Sequence, residues 1–183
     1  MSEEVLVRYC SPTLAGIKTA NLFSCKIDCS KKLVKKIENI NKILNPKGVY
    51  VYILKLFINR ALIYVFRPSK LSEDLNGEKA LTLLKENGYK GECLNDFIGC
   101  LAGRISANEE FPHEIGLFLG YPLEDVVGFI ENKGKNAKCT GCWKVYGDEC
   151  EARKIFNKFK KCTDVYCKKL NEGLTINHLT VGV

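Results

Sequence analysis

The chain has 183 residues, 46% of them hydrophobic and 27% charged, with a formal charge of +7 from 28 basic against 21 acidic side chains. That length bounds it at one domain, or a domain with a small appendage, and the composition excludes wholesale disorder and collagen-like or low-complexity fibres. Ten cysteines stand in a chain that opens on Met1-Ser2-Glu3-Glu4, without the basic start and long apolar run of a secretory signal. The thiols are therefore expected to stay reduced, and the expected compartment is the cytoplasm.

Ser11-Pro12 reads as the start of the first helix, with serine suited to the N-cap and proline to the first helical position. Leu14, Ile17, Leu22 and Cys25 follow at helical spacing. A second helix is predicted over 30–44, with Leu33, Ile37, Ile40 and Leu44 on one face and lysines opposite, stopped by Asn45-Pro46-Lys47-Gly48. The texture then changes to Val49–Leu54 and Leu62–Phe66, β-branched and aromatic runs turning at Asn59-Arg60, which predicts a β-hairpin over about 49–67. Both runs are nearly continuous in apolar residues, so both faces are expected to be covered, or one face to meet a partner such as a second copy in a homodimer. No uninterrupted apolar stretch reaches the roughly 18 residues of a membrane helix, and no membrane partner is expected.

Further helices are predicted near 70–76, 77–87 and 92–104. Two shorter ones, introduced by Pro112 and Pro122, fall within 111–132. Trp143–Tyr146 reads as a short strand. Asp148 and Glu151 then form a capping-box-like start to a long helix carrying Ala152, Ile155, Phe156, Phe159, Thr163, Tyr166 and Leu170 as its stripe. Leu179–Val183 reads as a last strand. The expected fold class is α+β: a mostly helical single domain, 1–183, with a central hairpin and one or two short C-terminal strands.

The net charge is local. Residues 133–169 carry ten lysines and Arg153 against Asp148, Glu149, Glu151 and Asp164, a net +7 on a neutral remainder. A solvated lysine face and a surface for nucleic acid or an acidic protein are both consistent with it. Lysine outnumbers arginine 23 to 5, which weighs against nucleic acid, because bidentate phosphate and base recognition favour arginine.

Three segments, CSPTLAGIKTANLF at 10–23, FPHEIGLFLGYP at 111–122 and CTGCWKVYGD at 139–148, together with Lys161-Cys162-Thr163, resemble a family of small proteins from anaerobic bacteria known as domain of unknown function 3793. The resemblance covers essentially the whole chain in the same order. It implies a cytosolic single-domain protein and no particular activity.

Chemistry must then be sought residue by residue. Cys139-x-x-Cys142 with Cys162 and Cys167 approaches the spacing of a zinc site, and four thiolates could equally hold an iron–sulfur cluster. Cys162 and Cys167, however, lie five residues apart, roughly 140° around a continuous helix. A four-cysteine site therefore requires the long helix to break near Thr163-Asp164. Cys139-Cys142 does not read as a thioredoxin-type pair, since it precedes a strand instead of opening a helix. Cys10, placed just before the Ser11 cap, would face the amides of Thr13 and Leu14. With Lys18 and Asn21, that helix start would bind a small anionic ligand or present a reactive thiol; the alternative is a buried core cysteine. His113-Glu114 is a polar pair in an apolar segment, without the second histidine of a metalloprotease helix. Tyr121 and Trp143 read as core aromatics, Tyr121 covering a pocket. Of the other cysteines, Cys25, Cys93 and Cys100 read as core and Cys29 and Cys150 as exposed.

Three function classes follow. The favoured one is a binding or accessory protein holding a metal, a cluster or a small anionic ligand through its cysteine-bearing motifs. The others are a small enzyme using Cys10 or His113-Glu114, and a basic interaction module acting through residues 133–169.

Overall fold

A computed structural model of the chain describes residues 1–107 and 111–182. The fold is α+β and mostly helical, as the sequence predicts, with the predicted hairpin inside a three-stranded antiparallel sheet and a separate two-stranded pair. The residues gather into two compact units. One is formed by Met1–Lys70 with the chain from Lys161 onward, the other by Leu71–Lys160.

The first unit begins with a helix that the sequence pattern places further along the chain. Helix α1 spans Glu3–Leu14: Ser2 caps it through the Val5 amide, and Glu3 and Glu4 place negative charge in its first turn. Ser11-Pro12 therefore lies in the last turn of a helix and does not open one. Pro12 is tolerated there, and the Ser11 hydroxyl donates to the Val7 carbonyl. Gly16, with φ at 72°, supplies the left-handed backbone that ends the helix while Ile17 N–H bonds back to Pro12 O. The residues predicted to continue the helix instead form strand β1, Ala20–Lys26, which buries Phe23 and Cys25 by alternation.

Helix α2, Ser30–Leu44, occupies the predicted residues and buries Leu33, Ile37 and Leu44. Strands β2, Tyr50–Leu56, and β3, Arg60–Phe66, form the hairpin. The sheet order is β1-β3-β2, all antiparallel, with Ala20 opposite Phe66 and Tyr50 opposite Phe66, and a bulge between Ile53 and Lys55. β3 is central, and Ile63 to Phe66 are buried on both faces, as a continuous apolar run requires. β2 is an edge strand and is not covered on both faces, leaving Tyr50 and Tyr52 exposed. Its rim is partly closed by α2: the Asn41 amide donates to Val51 O (2.9 Å) and accepts from Val51 N–H (2.8 Å).

Arg67 follows β3 and is 2% exposed. Its guanidinium donates to the carbonyls of Thr13 (2.7 Å), Leu14 (2.8 Å), Val181 (2.7 Å) and Lys47 (3.3 Å). Two of these carbonyls belong to the last turn of α1, where the helix dipole is negative. Burial holds the Arg67 pKa below its ordinary value. The C-terminal segment joins the same knot, with Val181 N–H bonded to Leu14 O (3.0 Å). It contains helix α9, Ile176–Leu179, with no strand among the described residues. The strand predicted over Leu179–Val183 is therefore a further correction, and its last residue lies outside the described residues.

The second unit contains α3 Pro68–Leu75 from its fourth residue onward, α4 Glu78–Glu86, α5 Leu94–Ala107, α6 Ile115–Phe118, α7 Leu123–Glu131 and a small antiparallel pair, β4 Cys139–Thr140 with β5 Lys144–Val145. Helix α8, Glu149–Asn171, is continuous. Asp148 accepts the Glu151 N–H at 3.0 Å as the capping pattern predicts, and that bond holds its carboxyl below the usual range. Cys25 is buried and Cys29 and Cys150 exposed as expected. Cys93, read as core, is exposed, because it precedes α5 and lies beside Asp96; Cys100 is half-buried.

Candidate functional site

Helix α7 forms where it does because Pro122 fixes the entering backbone and Glu124 and Asp125 favour the positive end of the dipole. Asp125 is nevertheless buried. Its Oδ1 accepts the backbone N–H groups of Tyr146 (2.7 Å) and Gly147 (2.8 Å), and its Oδ2 accepts the Trp143 indole N–H (2.6 Å). A buried carboxylate is tolerable when its lone pairs are filled by donors in this way. One side chain thus fixes the turn after β5 and the chain's single tryptophan to the first turn of α7. Gly128 permits the approach: a Cβ there would stand 2.5 Å from Tyr146 Cβ, so no other residue fits without displacing the hairpin.

This clasp leaves a cavity of about 300 Å³, floored by α6 and α7 and walled by the β4–β5 hairpin. Phe111, Tyr121, Phe129 and Trp143 give it an aromatic lining, and His113, Thr140 and Lys144 also line it. Trp143 stacks on Tyr121 with ring centres 5.0 Å apart, and Phe156 meets Trp143 edge-on with ring centres 4.5 Å apart. These contacts lock the wall in an arrangement aromatic pairs favour. The His113 ring sits 4.9 Å from Phe129, and the Lys144 ammonium lies 5.7 Å over the same ring while donating to Gly134 O at 2.6 Å. No carboxylate pairs with Lys144 among the described residues. The site is an apolar slot with one cation at its edge.

Burial and the field of Cys142 push the Tyr121 hydroxyl up to about 12. An unfolded tyrosine titrates near ~10, so the unfolded chain loses that proton first. The stability tied to neutral Tyr121 is full below pH ~10 and is lost as pH rises toward about 12. A 295 nm titration of the native chain, subtracted from that of Tyr121→Phe, is expected to show a phenolate curve centred well above that of an ordinary tyrosine. A difference curve centred near ~10 contradicts the buried environment.

The cavity brings together His113, Tyr121 and Trp143, three of the residues singled out in the sequence. Glu114 turns away from His113. It is buried, accepting from Arg104 Nε (2.8 Å) and the Tyr89 hydroxyl (3.0 Å), with Arg104 also stacked over the Tyr89 ring at 5.3 Å. The expected His113-Glu114 pair is therefore two neighbours with separate partners. Burial first, and the Glu114 charge second, raise the Tyr89 pKa.

Cys10, Ser11, Thr13, Lys18 and Asn21 belong to the other unit. Because α1 ends where the Ser-Pro signal predicts a helix to begin, Cys10 faces no free amides. It is wholly buried in the core, and desolvation raises its pKa strongly against the lowering effect of Lys18. Thr13 Oγ1 donates to Asn21 Oδ1 at 2.7 Å, an internal bond between α1 and β1. Lys18 is buried.

Of the four cysteines considered as metal ligands, Cys139 lies in β4 and Cys142 in the exposed turn after it, in the second unit. Cys162 and Cys167 lie on α8 in the first. The break in α8 that a four-cysteine site requires does not occur. Among the described residues no group of three or more His, Cys, Asp or Glu side chains is placed to hold a metal ion. Burial raises the Cys162 pKa, opposite to the need of a thiolate ligand. In the basic stretch, Lys138 and Lys144 each donate one bond to a backbone carbonyl, and Arg153 and Lys154 pair with Glu149 and Glu151.

Asp125 and Lys144 were not singled out by the sequence. Two acids, Glu124 and Asp125, stand in the otherwise apolar run Leu123–Ile130, and a lone tryptophan whose N–H needs an acceptor when buried is the signal that one of them is committed to it. For Lys144, among ten lysines in its stretch, no such signal exists.

The family described as "Protein of unknown function (DUF3793)" matches residues 6–180. No curated protein and no solved structure matches the chain. Among the described residues no helix is long and apolar enough to cross a membrane.

Proposed function

The chain belongs to this family, and on that premise we propose that it is a binding protein whose second unit takes up a small, flat, largely apolar molecule bearing one anionic group. The observation that carries the reading is the aromatic slot of about 300 Å³ between α6, α7 and the β4–β5 hairpin, with Lys144 at its edge. A slot of that size, mostly apolar with a few convergent polar groups, is what ligand sites share. Tyr121, Phe129 and Trp143 supply faces for a planar body, and the Lys144 ammonium supplies charge-assisted hydrogen bonds for a carboxylate or similar group. His113, beside Phe129, offers a second polar contact. Binding is favoured over catalysis by the same geometry, since Cys10 is sealed in the core and Glu114 is committed to Arg104 and Tyr89.

The single tryptophan makes the test direct. Titration with 2-naphthoate, followed by Trp143 emission and by calorimetry, is expected to give saturable one-to-one binding. Neutral 2-naphthalenemethanol should bind about tenfold more weakly, and Lys144→Met should remove that difference while leaving the neutral probe unaffected. Absence of saturable binding by either probe at millimolar concentration overturns the reading, as does a Lys144→Met variant that still prefers the anion.

A further inference from the structure

The β2–β3 hairpin ends in an unusual tip. Two-residue hairpin turns draw on Asn, Asp and Gly; Asn59 supplies one such residue here, but the other is Ile58, preceded by Leu56 and Phe57, and Phe57 N–H closes the turn on Arg60 O at 2.8 Å. Leu56 is 47%, Phe57 49% and Ile58 104% exposed. Turn chemistry does not call for Ile58, and no core receives it.

The surroundings of this tip are predominantly basic. Ile27 N–H bonds to Asn59 O at 2.9 Å, which holds the start of the β1–α2 connection against the tip. Lys26 precedes that contact, and α2 begins three residues after it with Lys31 and Lys32 in its first turn. Arg60 and Lys55 flank the turn itself, Arg60 bonded to Ser24 and the Lys55 ammonium 5.3 Å over the Phe57 ring. Five basic residues thus stand against Asp28 alone. Two of them oppose local stability: α2 has no acid in its first turn and no side-chain cap, so Lys31 and Lys32 sit at the positive end of its dipole. Cations kept where the helix disfavours them, around apolar side chains kept where water disfavours them, are suited to a surface that offers both hydrocarbon and negative charge.

We propose that the hairpin tip docks the protein on an anionic lipid bilayer, Phe57 and Ile58 entering the headgroup–acyl boundary and the surrounding cations meeting lipid phosphates. Docking of this peripheral kind needs no membrane-crossing helix. A second copy is the poorer occupant, because a two-fold contact would bring the same cluster of cations against itself. Nucleic acid is poorer as well, since fully exposed aliphatic side chains find no partner along a phosphate backbone.

Co-sedimentation of the full chain with vesicles of phosphatidylglycerol and phosphatidylcholine in equal parts is expected to give binding at least about tenfold tighter than with phosphatidylcholine alone. Ile58→Asp should weaken that binding by about tenfold or more, and Lys31→Glu with Lys32→Glu should weaken it comparably and flatten its salt dependence. Unchanged circular dichroism and urea-unfolding midpoint keep loss of binding distinct from loss of fold. Equal binding to neutral and anionic vesicles overturns the proposal, as does an Ile58→Asp variant that binds like the parent. A dimer in sedimentation velocity that dissociates on Ile58→Asp assigns the tip to a second copy and overturns it too. So does binding to a single-stranded oligonucleotide that needs Ile58 when vesicle binding does not. The naphthoate titration reads the other unit, so the two readings stand or fall separately.

Discussion

Replacing Arg67 by methionine is expected to destabilise the first unit by about 3–5 kcal/mol. The four carbonyls it serves come from the end of α1, the turn after α2 and the C-terminal segment, and three of its four hydrogen bonds are 2.8 Å or shorter. Methionine would fill much of the same space and leave these acceptors without the guanidinium donors, which costs more than the net value of the bonds themselves. Arg67→Lys should recover only part of the loss, because one ammonium cannot span carbonyls that the planar guanidinium reaches from three nitrogens. Urea unfolding gives the magnitude. Amide exchange locates it: the Val181 N–H, bonded to Leu14 O, should lose protection first. A lysine variant as stable as the parent would show that the geometry of the fork is unimportant.

Asp125→Asn is the second large effect, at about 2–3 kcal/mol despite near-identical shape. Three N–H donors converge on the carboxylate, two on one oxygen and one on the other. An amide must turn its own NH2 toward at least one of them, so either Trp143 or the Tyr146–Gly147 turn loses its acceptor. The cost falls on the cavity as well as on stability. Trp143 emission should shift to the red as the indole loosens, and naphthoate affinity should fall. An Asp125→Asn variant with parental stability and emission would show that Asp125 does not anchor the wall.

How far the sequence carried these conclusions differs by element. The α2 helix and the hairpin were legible because local signals agree: an amphipathic lysine–isoleucine pattern closed by Asn-Pro-Lys-Gly, then β-branched runs around a turn. The first 26 residues were not. Leu14, Ile17, Leu22 and Cys25 fit a helical period, while Phe23 and Cys25 fit a strand equally well. What decides is the pairing of Ala20–Lys26 with Arg60–Phe66, a contact some forty residues away. The Ser-Pro signal misled because a proline that most often opens a helix here occupies the last turn of α1. In the cavity, His113, Tyr121 and Trp143 were visible as unusual residues in apolar segments. Their convergence was not, since it depends on Asp125 reaching the hairpin across a gap that only Gly128 leaves open.

The Asn41 clasp on Val51 has a meaning beyond packing. Its amide offers the edge of β2 what a neighbouring strand would offer, one donor and one acceptor in register. Another chain can add to that edge at Val51 only by first displacing the amide, which joins the bulge between Ile53 and Lys55 in guarding the edge against templated growth from chain to chain. Aspartate at the same position could still accept from Val51 N–H but would set a second acceptor against its carbonyl. Spontaneous ageing of one amide would then be enough to unlatch the strand whose far end carries the exposed tip.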